Sequence, residues 1–193
     1  MEVIRGLDKI TDNHKGCVAT IGAFDGVHLG HQSVLKRLTD ISYDLGLPSL
    51  VITLEPLPRE FFSPQCAPPR LMSFDEKALI MGNLGIDRIL RIDFNKNLSR
   101  VSAENFIKDI FYKSLGIQYI IIGDDLRFGH LRKGDFQLLK TMGKNLGFQV
   151  EATKTLEVSG SRVSSTRIRN AVASSDFLLS ETLLGRPYFI HGK

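Results

Sequence analysis

At 193 residues, with 42% hydrophobic and 24% charged content, the chain has the makeup of one packed domain and is neither disordered nor fibrous. No apolar run reaches the roughly 18 residues of a membrane span, and the opening "MEVIRGLDKITDNHKG" has charges where a signal peptide needs an apolar core, so the cytoplasm is expected and a membrane is not. The net charge of +4 suits a small anion, while the absence of Trp and of a basic stripe interleaved with aromatics argues against nucleic acid.

The first apolar, β-branched run, 17–24 ("CVATIGAF"), reads as a strand. It leads through "GAFDGVHLGH" into a helical pattern in which Val34, Leu35, Leu38, Ile41 and Leu45 share a face and Gly46 ends the run. A second strand at 49–55 precedes a proline-rich stretch, 55–71, that holds Cys66. Ser73 and Glu76 form a capping box for the helix "FDEKALIMGNLG". A strand at 87–94, a helix from Ser102, a strand at 119–124, a helix from Asp135 and a strand at 148–158 follow, each helix closed by a glycine. Neither Cys17 nor Cys66 has metal-ligand spacing, and both read as free thiols. Alternating β and α elements of this length predict an α/β fold, a Rossmann-like doubly wound parallel sheet with right-handed crossovers. Ligands of such sheets bind beyond the carboxyl ends of the strands, which is where the polar motifs fall.

The most informative motif is the first. His28 and His31 stand three residues apart at a helix start, beside amides that lack intrahelical partners and attract anions. Gly22, Gly26 and Gly30 allow a tight turn and close approach of a ligand. Two imidazoles there can donate to phosphate oxygens and stabilise charge in a phosphoryl transition state. Two blander readings are that they cap the helix or bind a metal, although no third His or Cys has a matching spacing. "RVSSTRIRN" repeats the logic: Ser164, Ser165 and Thr166 are N-cap types, and Arg167 and Arg169 add fixed positive charge. Plain capping with solvated arginines is the alternative. Asp124 and Asp125 follow the most apolar strand, either as site acids or as a polar turn.

"GAFDGVHLGH" resembles the Gly-x-Phe-Asp-x-x-His-x-Gly-His signature of the nucleotidylyltransferase superfamily, and with "EPLPREFF", "GDDLRFG" and "VSSTRIR" in this order residues 1–182 are similar to the adenylyltransferase module of bacterial FAD synthetases. The resemblance implies transfer of AMP from ATP to FMN, giving FAD and pyrophosphate, with Mg²⁺ accompanying ATP and no dedicated protein metal site. It implies an ATP site at Gly22, Ala23, Phe24, Asp25, His28, Gly30, His31, Ser164, Ser165, Thr166, Arg167 and Arg169. It assigns FMN to Pro56, Pro58, Asp125, Arg127 and Phe128, and catalysis to His28, His31, Asp125 and Arg169. Ala23, Leu54, Leu57 and Leu126 depart from residues common in that pattern, while Phe61 and Phe62 read as core. A nucleotidylyltransferase for another phosphorylated acceptor, or a non-catalytic flavin or nucleotide binder, stays open. The tail 183–193, "LLGRPYFIHGK", resembles the first strand of a riboflavin kinase module, so kinase activity is not expected of this chain.

Overall fold

A computed structural model describes residues 1–190. Six parallel strands form one sheet in the order β1-β4-β3-β2-β5-β6, with β1 at Glu2–Arg5, β2 at Val18–Ile21, β3 at Ser49–Glu55, β4 at Arg88–Asp93, β5 at Tyr119–Gly123 and β6 at Gln149–Thr153. The alternating side-chain directions of the central strands explain the layering. Leu50, Ile52, Leu90, Ile92, Ile120 and Ile122 face one layer, where they meet Ile107 and Phe111 of a helix opening at Ala103–Asn105 (α4) and Leu139 of α5 (Phe136–Leu146). Val51, Ile89 and Ile121 face the other, against Leu35 and Leu38 of α1 (Leu29–Leu45) and Met81 of α3 (Phe74–Asn83). Two further helices, α6 (Ser165–Ala173) and α7 (Phe177–Leu184), build a smaller core from Leu71, Val163, Ile168, Leu183 and Leu184.

Local chemistry sets the helix ends. Ser73 Oγ accepts from the Glu76 N–H at 3.2 Å while the Glu76 carboxylate takes the Ser73 N–H at 2.6 Å, the reciprocal capping box expected. The Asp135 carboxylate caps α5 through the Leu138 N–H at 2.9 Å. The helix from Ser102 widens into a π-helical stretch, Phe106–Ser114, which the apolar pattern does not reveal.

Three expectations are corrected. The run 148–158 is two elements: β6 stops at Thr153, and β7 (Glu157–Val158) pairs antiparallel with β8 (Ser161–Arg162). Ser159 and Gly160 both adopt positive φ, 55° and 70°, the two-residue turn that matches strand twist, and the chain reverses there. Leu45 lies at the solvent end of α1, 48% exposed. Tyr188, Phe189 and Ile190 form no strand. His191 to Lys193 lie outside the described residues.

Candidate active site

The chain leaves β2 for β3 and β4 on one side of the sheet, then returns to place β5 on the other side of β2. This is a topological switch point, and the loops after β2 and β5 open away from each other there. The loop after β2 is the first motif. It is tightly wound, for Phe24, Gly26 and Val27 have φ of 49°, 86° and 38°. For the β-branched Val27 this is a strained conformation that surrounding contacts must hold.

Those contacts come from four segments. The Asp25 carboxylate, 3% exposed, accepts the Leu71 N–H at 3.0 Å and is ion-paired with Arg169. Ser165 Oγ donates to the Asp25 carbonyl at 2.8 Å. Gln32 Nε2 and Arg186 both donate to the Val27 carbonyl, at 2.9 and 3.2 Å. The Phe24 ring is buried and lies 5.1 Å from the His31 ring.

On this turn the two histidines stack, ring centroids 3.6 Å apart and planes 14° from parallel. His28 is the N-cap of α1: its Nδ1 accepts the His31 N–H at 3.3 Å, which puts the neutral ring's proton on Nε2. Capping and ligand binding are therefore compatible in one ring. Burial, reinforced by the Arg162 and Arg186 charges, pushes the His28 pKa down to about 4. Burial also holds His31 well below the ordinary imidazole range, with His28, Lys77 and Arg162 adding to it. Both rings are neutral donors at pH 7. The His31 Nδ1 is buried with no partner. Gly30 gives the His28 ring its room, since a Cβ there would stand 3.2 Å from the ring's Cε1 and Nδ1.

The second motif lies beside the first. Ser164 caps α6 through the Arg167 N–H at 3.2 Å, and Thr166 is exposed on the first turn. Arg167 and Arg169 are occupied: Arg167 donates to the Val158 and Ser161 carbonyls at 3.0 and 3.1 Å, and Arg169 to the Pro69 carbonyl at 2.6 Å. Arg162, from β8, is near enough for its charge to act on both histidines and is ion-paired with Asp125 in the turn after β5.

The proline-rich loop is organised by Arg70, which donates to Glu55 at 2.6 Å and to Glu60 at 2.5 and 2.6 Å. Pro56 follows a cis peptide, and Pro58 opens a short helix, α2 (Pro58–Phe62). Phe61 and Phe62 are not core: at 36% and 64% exposure they form an edge-on cluster with Phe94, centroids 5.3 to 5.8 Å apart. Proline fixes the backbone so that α2 has no layer to pack under. Beneath the loop, the Lys77 ammonium is buried at 2% exposure, 3.6 Å from Glu55.

His28, His31, Gly30, Asp25, Ser164, Ser165, Asp125 and Arg169 thus surround the carboxyl ends of β2 and β5. Ala23 and Arg127 are exposed, and Gly22 continues the β2 ladder by donating to the Ile52 carbonyl at 3.1 Å. Phe128 is not brought to this site. Its ring is 7% exposed, within 6.0 and 6.3 Å of Phe106 and Phe111, because a bridge to Gly134 folds the loop back onto α4. Sequence reasoning passed over Arg162, Lys77 and Arg186. Lys77 could have been found, for it precedes Ala78 and Met81 on the buried face of α3.

A family model described as FAD synthetase matches residues 10–167. The bifunctional riboflavin kinase/FMN adenylyltransferase of Pseudomonas fluorescens is 50% identical over 193 residues, covering all of this chain and 62% of its own length. The Escherichia coli K12 protein of that description is 40% identical over 194 residues with the same shares, so this chain spans less than two thirds of these curated relatives. A solved Streptococcus pneumoniae structure, described as a macrolide-efflux protein, has a TM-score of 0.83 over 97% of this chain and 72% of its own at 22% identity, which speaks for the fold alone. A match that runs through the histidine turn, the proline-rich loop and the start of α6 makes this chain a member of the FAD synthetase family.

Proposed function

We propose that this chain is an FMN adenylyltransferase. A phosphate oxygen of FMN attacks the α-phosphorus of ATP, the bond to the β-phosphate oxygen breaks, and its electron pair leaves with pyrophosphate, so that FAD forms without a protein nucleophile. The catalytic demand is positioning and charge stabilisation. The observation that carries this reading is the stacked pair of neutral histidines at the start of α1, beside the start of α6. His28 Nε2–H and the amides of Leu29 and Gly30, which have no intrahelical acceptor, supply donors for the reacting phosphates. Thr166 and the first turn of α6 are placed for the rest of the triphosphate, with Arg162 as the nearby positive charge. Asp25 and Arg169 act through each other, holding the turn that carries the histidines. The exposed Phe61, Phe62 and Phe94 cluster beside Pro56 and Pro58 offers flat apolar surface suited to a flavin ring.

Mg²⁺ enters with ATP as the counter-ion of its triphosphate. The relatives' second named activity, riboflavin kinase, we place outside residues 1–182. Incubation with FMN, ATP and Mg²⁺ should give FAD and pyrophosphate in equal amounts by chromatography. Pyrophosphate release with a different phosphorylated acceptor but not with FMN would reassign the substrate, and no turnover with any acceptor would leave a binding protein.

A further inference from the structure

Arg186 follows α7, beyond the helices that build the site, yet its guanidinium reaches back to the histidine turn. Nη2 donates to the Gly26 carbonyl at 2.7 Å, and Nη1 to the Val27 and Leu184 carbonyls at 3.2 and 3.3 Å. Gly26 and Val27 are the two positive-φ residues immediately before His28. No carboxylate among the described residues is within ion-pair distance of Arg186, and its Nε is buried without a partner. A neutral side chain, Gln32, already bridges the same Val27 and Leu184 carbonyls at 2.9 and 2.8 Å. A staple between the turn and α7 thus exists without a charge. The half-buried, uncompensated guanidinium is an addition that packing alone does not call for.

We propose that Arg186 is a positioning residue for phosphate transfer: it clamps the strained Gly26–Val27 turn by its carbonyls and so fixes the His28 ring. It needs no contact with either substrate. The chain segment leaving α7 is then part of the active site's support, and the functional module extends to at least residue 186.

The test uses the 193-residue chain with Arg186→Ala, Arg186→Lys and Arg186→Gln, measuring kcat, KM for each substrate, and amide hydrogen exchange at Val27 and His31, whose N–H groups donate to the Phe24 carbonyl and the His28 ring. Misplacing a reacting group by about 1 Å costs on the order of a hundredfold, so kcat of Arg186→Ala should fall about ten- to a hundredfold while KM for FMN stays within about twofold. Exchange at Val27 and His31 should quicken. Added guanidinium ion should restore part of kcat to Arg186→Ala and none to Arg37→Ala, whose guanidinium pairs with Glu151 away from the turn. Arg186→Gln, which keeps a donor and loses the charge, should fall between alanine and wild type, as should Arg186→Lys. Wild-type kcat in Arg186→Ala, unchanged exchange, or a loss that guanidinium does not relieve would each overturn the proposal. The activity readout rests on the proposed adenylyl transfer. If the unaltered chain makes no FAD, that reading fails, and the exchange experiment still decides the clamp.

Discussion

At the scale of single residues the proposed chemistry rests on two imidazoles kept neutral by burial. Replacing His28 or His31 with alanine removes one preorganised donor to a charged transition state, and turnover should drop about a hundredfold or more, measured as FAD formed per enzyme. The pH dependence follows from the same burial. Between its ordinary value of 6.5 and about 4, His28 binds a proton in the unfolded chain but not in the folded one. Stability is therefore full above pH 6.5 and is lost as pH falls toward 4, by about 3 kcal/mol at most for this ring. Melting curves across that range should show the slope, and His28→Asn, which keeps a capping acceptor, should flatten it. Turnover should show no inflection near 6.5 from either ring. The histidines were legible because Gly22, Gly26 and Gly30 and the strand-to-helix context, rather than His-x-x-His alone, set them at a ligand-facing helix start. Arg162 and Arg186 were not, since a cation's partner depends on a fold that brings residues 26 and 186 together.

Elements position those residues through a few buried polar links. The Asp25 carboxylate joins the β2 loop to Leu71 and to α6 through Arg169, so Asp25→Asn leaves a largely buried guanidinium without its charge partner. Urea unfolding should register a loss of about 3 kcal/mol. The α2 aromatics contribute differently. With Phe62 solvent-facing, Phe62→Ala should leave stability nearly unchanged and raise KM for FMN about three- to tenfold, the worth of one aromatic stack. A KM unchanged for FMN would take the flavin off this surface. Strands and helices were readable from apolar periodicity, and the Ser73–Glu76 box from its spacing. The break after Thr153 was not, because Lys154 to Leu156 continue a β-rich composition and only the Ser159–Gly160 turn reveals the reversal. Phe61 and Phe62 misled for a related reason: hydrophobicity predicts burial only where a layer exists to bury against.

At the scale of the whole molecule a six-stranded parallel sheet carries the proposed site on one rim, a layout that follows from strand order. On the proposed reading this 193-residue polypeptide transfers AMP to FMN, so riboflavin with ATP should yield neither FMN nor FAD, and chromatography showing FMN would overturn that division. The alternation of elements made the parallel sheet legible, but not its edge, because the charged tetrapeptide of β1 has no apolar pattern to announce it. That edge carries a consequence in time. Glu2 pairs in register with Arg88, so β1, made before the strand it pairs with, waits for β4. At about 5 to 20 residues per second the wait is roughly four to seventeen seconds, during which Ile4 is unburied. Vectorial synthesis thus leaves β1 unpaired until β4 has been made, with β5 and β6 still to follow. Deleting residues 1–5 should spare turnover per soluble molecule while shifting the protein into aggregates on size-exclusion chromatography, with β4 left as a bare template for a neighbouring chain's strand.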